Sequence, residues 1–259
     1  LGKEIKEMRK IISTLLMIVL STICFSQVAD TAFHIYLLAG QSNMAGRGVL
    51  DSISKQTHPQ IFMLDKSNQW VLATDPVHFD KPDIAGVGPA IAFAQEMVKN
   101  NPNIKIGLVP CAWGGSSISV WNPDSAYLTG HPYDDAVKRT FIAVQSGILK
   151  GILWHQGEAD NNTKGATLYM DKLKKLVERF RNTFHNPQLP FIVGEIGHFN
   201  KNTIINAILN DVPNQISFTA VVSAEGLKDK GDKLHFDTPS ARELGKRYAV
   251  AIKKLTTQK

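Results

Sequence analysis

The sequence predicts an α/β fold in which helices cover both faces of a parallel sheet. Three observations carry that reading. Short apolar runs alternate along the chain with longer amphipathic segments, as successive βαβ units require. The runs are too short and too uniformly apolar to be surface helices, and strands of that kind belong to sheets buried on both faces. No repeat, low-complexity tract or Pro/Gly-rich linker interrupts the pattern, so residues 27–259 read as a single domain.

The strands are expected at Phe33 to Leu38, Ile104 to Val109, Gly151 to Trp154, Phe191 to Val193 and Ile216 to Val222, a sheet of about five strands. Helices are expected at Pro89 to Lys99, Asp134 to Gln145, Thr167 to Phe184, Thr203 to Leu209 and Ser240 to Lys254. Within Thr167 to Phe184, the residues Leu168, Leu173, Leu176, Val177 and Phe180 fall on one face, with Lys172, Lys175, Glu178 and Arg179 elsewhere.

The N-terminus reads differently. Met8-Arg9-Lys10, an apolar stretch from Ile11 to Ile23 and then Cys24-Phe25-Ser26 make residues 1–26 a secretory signal peptide, cut after Ser26. Leu1 to Glu7 precede Met8, the expected initiator, and read as an artefact of the gene start. The apolar stretch is interrupted by Ser13, Thr14, Ser21 and Thr22 and falls short of the ~20 residues of a membrane span. No membrane insertion is expected after cleavage, and Ile23 before Cys24 argues against lipidation. The mature protein is thus expected to be secreted or periplasmic.

A chain of 259 residues with 43% hydrophobic content can bury a sizeable core, which excludes a disordered tail or a minimal scaffold. The excess of 29 Lys+Arg over 23 Asp+Glu is spread along the chain, so a nucleic-acid platform is disfavoured. The signal removes four basic and two acidic residues, which takes the net charge from +6 to +4. It also removes Cys24, leaving Cys111 alone, so no internal disulfide is expected.

In a parallel sheet, ligands bind beyond the carboxyl ends of the strands. After the first strand comes Gly40-Gln41-Ser42-Asn43-Met44-Ala45-Gly46; after the second, Cys111-Ala112-Trp113-Gly114-Gly115-Ser116; after the third, His155-Gln156-Gly157-Glu158; after the fifth, Gly231-Asp232-Lys233-Leu234-His235-Phe236. Ser42 sits where a strand turns toward a helix and reads as an exposed nucleophile or as a plain helix cap. Asp232, three residues before His235, can orient an imidazole or form a surface contact. Gly114 and Gly115 allow backbone N–H groups to approach an oxyanion, or simply make a turn. Gln156 offers two amide donors, or packs as a polar loop residue beneath Trp154. All four segments following strands of one sheet together favour a serine hydrolase.

These residues also resemble a known family, the SGNH/GDSL hydrolases, and within it the branch of sialate O-acetylesterases and family 6 carbohydrate esterases. The resemblance rests on Gly40-Gln41-Ser42-Asn43-Met44-Ala45-Gly46-Arg47-Gly48, Gly86-Val87-Gly88-Pro89-Ala90, Trp113-Gly114-Gly115-Ser116, Trp154-His155-Gln156-Gly157-Glu158 and Asp232-Lys233-Leu234-His235-Phe236. It implies a three-layer α/β/α sandwich of flavodoxin-like topology. It further implies Ser42 as nucleophile, His235 as general base and Asp232 as the acid behind it, with Glu158 as supporting or alternative acid. The oxyanion hole it implies is the N–H of Ser42, that of Gly114 and the amide of Gln156, with Gly115 the alternative to Gly114. No cofactor or metal is implied. The expected substrate is an acetylated carbohydrate, of xylan type or a related glycan, with an acetylated sialic acid as the alternative.

Competing readings fail on spacing. A phosphate loop G-x-x-x-x-G-K-[ST] would put Gly at 45 and Lys at 46, where Ala45 and Gly46 stand. The elbow G-x-S-x-G fails because Met44 takes the last Gly position. His155, Glu158 and Asp160 could ligate a metal, but no H-E-x-x-H is present. Cys111, small and ending a strand, reads as a core residue. The alternative of another class is a secreted glycan-binding module without catalysis, in which Trp113, Trp121 and Trp154 would stack on sugar rings; their other reading is core packing.

Overall fold

The computed structural model describes residues 1–8, 29–99, 101–199 and 204–257. The apolar signal segment and its expected cleavage point after Ser26 lie outside the described residues, as does Thr203. Among the described residues, no helix is long and apolar enough to cross a membrane.

Among the described residues seven strands form one sheet: β1 (Asp30–Gly40), β2 (Ile61–Leu64), β3 (Trp70–Leu72), β4 (Lys105–Pro110), β5 (Gly147–His155), β6 (Phe191–Gly194) and β7 (Thr219–Val222). They lie in the order β3-β2-β4-β1-β5-β6-β7. All neighbours are parallel except the β2–β3 pair, where Leu64 faces Trp70 across an antiparallel hairpin. The five expected strands are β1, β4, β5, β6 and β7, and counted in that order they lie 2-1-3-4-5, as in flavodoxin-like sheets. The expectation of about five strands is therefore corrected to seven. β2 and β3 escape an apolar-run criterion because they are short and lie at the edge, with Phe62 and Met63 half-buried and Val71 and Leu72 exposed.

From residue 29 onward the α-helices among the described residues are α1 (Ser42–Ala45), α2 (Ala90–Val98), α3 (Pro132–Ala143), α4 (Thr163–Thr167), α5 (Tyr169–Thr183), α6 (Ile204–Gln215) and α7 (Thr238–Thr257). The expected helix over Thr167 to Phe184 is split at Leu168, whose φ of −108° and ψ of 2° leave the helical region, and Leu168 is exposed and does not join the apolar face. The strand expected from Ile216 starts only at Thr219, because α6 runs on to Gln215 and Phe218 turns the chain with φ of 52°.

Side chains alternate across each strand, so one strand feeds two cores. Ile35, Leu37 and Ala39 of β1 pack with Ala136 of α3, Leu176 and Phe180 of α5 and Leu209 of α6. Tyr36 and Leu38 pack on the other face with Phe93 of α2 and Leu244 and Tyr248 of α7. Helices thus cover both faces, and the strands' carboxyl ends stay open for the loops that follow them.

Candidate active site

β1 ends at Gly40, whose φ of +124° suits glycine and whose added Cβ would strike the backbone of His155. Ladder-like bonds continue past the strand ends. The Gln41 N–H donates to the His155 carbonyl (2.9 Å), and the Trp113 N–H donates to the Gly40 carbonyl (2.9 Å). The loops after β1, β4 and β5 are therefore clamped side by side. Ser42 follows as the first residue of the one-turn helix α1; the cap position belongs to Gln41, so the capping reading of Ser42 does not apply.

The loop between β7 and α7 brings His235 to Ser42. His235 Nε2 lies 3.0 Å from Ser42 Oγ, and His235 Nδ1 lies 2.7 Å from Asp232 Oδ2. Asp232 Oδ1 also accepts the backbone N–H groups of His235 (2.8 Å) and Leu234 (3.0 Å), which fixes the carboxylate beneath the ring. Burial opposes the charge of Asp232, but these bonds and the neighbouring imidazole outweigh it and bring its pKa down to about 2. The carboxylate is ionised wherever an esterase would work.

Asn43 holds the same loop from the other side. Its Nδ2 donates to the Leu234 carbonyl (3.1 Å) and its Oδ1 accepts the Phe236 N–H (3.1 Å), so the residue after Ser42 brackets His235 on both flanks. Asn43 Nδ2 donates also to Glu158 Oε1 at 2.5 Å. Glu158 is buried, a cost to its charge, yet His155, 3.7 Å away, and the Asn43 amide together hold its carboxyl below the usual range. Among the described residues Glu158 makes no bond to His235. Sequence reasoning quoted Asn43 within a motif but assigned it no role; the requirement that something restrain a loop arriving from the far end of the chain was the available signal.

Ser42 and His235 open into a cleft of about 370 Å³ that is also lined by Gly115, Lys81, Ile84 and Leu234. The N–H groups of Ser42 and Gly115 have no hydrogen-bond partner among the described residues. The Gly114 N–H is engaged elsewhere: it donates to Asp80 Oδ2 (2.8 Å), the oxygen that also receives Arg47 Nη2 at 2.7 Å in an ion pair whose side chains are 2% exposed on both sides. Of the two glycines left open by the sequence, Gly115 therefore carries the available donor. Gln156 is not in the cleft. It is fully buried, and its Nε2 lies within hydrogen-bond distance of Asp160 Oδ2 (2.7 Å), Gln41 Oε1 (3.1 Å) and the Ser116 carbonyl (3.1 Å), so its amide ties three loops together.

Two of the three tryptophans considered as sugar platforms belong to the core. Trp121 and Trp154 are buried and meet edge to face at 5.0 Å, and Trp154 Nε1 donates to Tyr169 Oη. Trp113 is half-buried and lines a separate cavity beside the cleft. Of His155, Glu158 and Asp160, weighed as metal ligands, the first two approach each other at 3.7 Å while Asp160 accepts the Ile118 N–H, and among the described residues no three His, Cys, Asp or Glu side chains are grouped to hold a metal ion. Burial pushes the Cys111 thiol up to about 12, which leaves it unreactive.

A mostly parallel sheet with a serine, an imidazole and a carboxylate linked in series at its carboxyl edge is an arrangement able to support nucleophilic hydrolysis. The profile of one family, carbohydrate esterase, sialic acid-specific acetylesterase, matches residues 32–254, and the chain belongs to that family. This agrees with the branch that the motifs resemble. An Arabidopsis thaliana protein named a probable carbohydrate esterase is 34% identical over 243 residues, covering 84% of this chain and 89% of that protein. The crystal structure of an Arabidopsis thaliana protein matches with a TM-score of 0.76 and 33% identity, over 85% of this chain and 98% of that one. NanS shares the fold with a TM-score of 0.71 and 20% identity, over 90% of this chain and all of that one (100%).

Proposed function

We propose that the protein is a secreted serine esterase that removes O-acetyl groups from an acetylated carbohydrate, of xylan type or a related glycan, through an acyl-enzyme on Ser42. The observation that carries this reading is the Ser42–His235–Asp232 series, with spacings of 3.0 and 2.7 Å, at the wall of an open cleft. As Ser42 Oγ attacks the ester carbonyl, His235 Nε2 takes its proton, and Asp232 holds the imidazolium that forms. The carbonyl oxygen becomes an oxyanion, which the free N–H groups of Ser42 and Gly115 receive; one such donor is typically worth ~2.7–4 kcal/mol. The sugar oxygen leaves with the proton from His235. Water then attacks the acetyl-serine by the same route, and acetate departs.

Supporting the substrate class are the family to which the chain belongs and a cleft with few apolar side chains, Ile84, Ala159 and Leu234, among its described lining residues. A sialate O-acetylesterase is the second reading, favoured by the family's description. The signal-like text around Met8 to Ser26 supports export to the periplasm or beyond.

The test is acetate release from acetylated xylan, acetylated sialic acid and an aryl acetate, by the parent and by Ser42→Ala. Ser42→Ala is expected to abolish turnover of all three with an unchanged melting temperature. Rates are expected to fall from acetyl to octanoyl esters. Turnover retained by folded Ser42→Ala would move the nucleophile elsewhere, and glycan binding without turnover by the parent would return the non-catalytic module.

A further inference from the structure

Trp113-Gly114-Gly115-Ser116 form a β-turn, closed by the bond from the Ser116 N–H to the Trp113 carbonyl (3.1 Å), with two glycines at its centre. Gly115 has a φ of +85°, the value of the third residue in a type II turn. Such a turn becomes type I when its central peptide flips over, and here that peptide joins Gly114 to Gly115. Glycine at both central positions removes the steric cost that would otherwise hold the peptide one way. The choice matters at this place, because a trans peptide points its carbonyl and its N–H in opposite directions. In the observed form the Gly115 N–H has no partner among the described residues, and Gly115 lines the cleft. In the flipped form the Gly114 carbonyl would turn that way instead, an acceptor where an oxyanion needs a donor.

One hydrogen bond selects between the two forms. Tyr127 Oη donates to the Gly114 carbonyl (3.2 Å), a bond that the flipped peptide would lose. The preceding peptide is already fixed, its carbonyl by the Ser116 N–H and its own N–H by Asp80 Oδ2 (2.8 Å). The freedom left in the turn is therefore that of the Gly114–Gly115 peptide. Tyr127 is itself braced: its N–H donates to the Gly130 carbonyl (2.8 Å), the Gly130 N–H returns the bond (3.1 Å), and a Cβ added at Gly130 would strike the Trp113 indole. Burial and the Asp80 carboxylate push the Tyr127 phenol above its ordinary value of 10, so Oη keeps its proton and remains a donor. A donor on the carbonyl also polarises the peptide, which strengthens the N–H at its other end.

We propose that Tyr127 is a positioning residue for ester hydrolysis, its hydroxyl holding the Gly114–Gly115 peptide in the type II form and so keeping the Gly115 N–H aimed at the oxyanion. The inference rests on the esterase reading above. It adds a residue from outside every sequence motif, 13 positions beyond Gly114, that reaches the reaction only through a backbone amide.

Tyr127→Phe removes the hydroxyl and keeps the ring of a half-buried residue, so the variant is expected to melt close to the parent. Outright loss of an oxyanion donor costs about 10²–10³ in kcat. Loosening one through a single neutral hydrogen bond is expected to lower kcat on an aryl acetate about five- to tenfold. Acylation and deacylation both pass through the oxyanion, so KM is expected to stay within about twofold. Methylboronic acid, which forms a tetrahedral adduct on Ser42 with an oxygen in the oxyanion position, is expected to inhibit Tyr127→Phe about five- to tenfold more weakly than the parent. Leu128→Ala, a change of the exposed neighbour in the same loop, is expected to alter neither kcat nor boronate inhibition. Four results overturn the role of Tyr127 and leave the esterase standing: a kcat within about twofold of the parent, a higher KM at constant kcat, a lower kcat with boronate inhibition unchanged, or a loss that Leu128→Ala reproduces. Absent aryl acetate turnover by the parent refutes the esterase reading, and the inference falls with it.

Discussion

Replacing Asp232 by Asn changes one functional group and keeps the shape. Asp232 Oδ1 accepts the backbone N–H groups of Leu234 and His235, bonds that an amide oxygen preserves. The other terminus must then be an NH2 group, placed 2.7 Å from His235 Nδ1. A donor there forces the imidazole into the tautomer with its proton on Nε2, facing Ser42 Oγ, and a protonated nitrogen cannot accept the serine proton. A triad carboxylate changed in this way costs about 10⁴ in kcat, or roughly 5 kcal/mol of transition-state stabilisation. Glu158→Gln, in contrast, keeps an oxygen for Asn43 and leaves the Asp232–His235 bond untouched, so a loss of about tenfold or less is expected, through a looser bracket around His235. Steady-state kcat on one aryl acetate, with circular dichroism and melting for both variants, decides. A larger loss in Glu158→Gln than in Asp232→Asn would refute the assignment and make Glu158 the principal acid.

Trp154→Ala should cost about 3–5 kcal/mol of stability in urea titration, because the ring is fully buried against Trp121; loss of glycan affinity at unchanged stability would instead restore it as a sugar platform. Burial raises the Asp75 carboxyl from 3.8 to about 7, so the stability associated with its neutral form is complete below pH ~4 and is lost as pH rises through about 7. The upper bound on that loss is roughly 4 kcal/mol. Asp75→Asn should therefore melt higher than the parent at pH 8 and show a flatter melting profile from pH 5 to 8; a parent profile that rises over this range would contradict the sign.

The central strands were legible because Leu37, Leu38, Val109, Leu153 and Ile192 must all be apolar in a sheet covered on both faces. Edge strands carry no such demand. Ile61–Leu64 and Trp70–Leu72 are half-wet, and the cue that was available is the turn between them, Asp65 to Asn68, where Asn68 takes a φ of 59°. Residue type and position after strands mark Ser42, Asp232 and His235 only as candidates, and their proposed roles come from the family resemblance. The direction of a side chain leaving a strand end could not be read from the sequence. Gln156 has the right donor chemistry for a cleft but points it inward at Asp160, and Gly114 spends its N–H on an Asp80 that lies 34 residues away with no motif of its own. The ion pair of Arg47 with Asp80 depends on the close approach of two loops, which local pattern does not encode.

Ser42 and His235 are 193 residues apart, and Asn43 grips both flanks of the loop that delivers the imidazole. During synthesis the serine emerges early, while the base arrives only with the last strand and α7. In the proposed mechanism no group can accept the serine proton until that final segment docks, so a chain truncated before β7 would carry the hydroxyl without its base. For a protein that threads through a membrane unfolded, as the proposed export route requires, hydrolytic capacity would first exist on the far side.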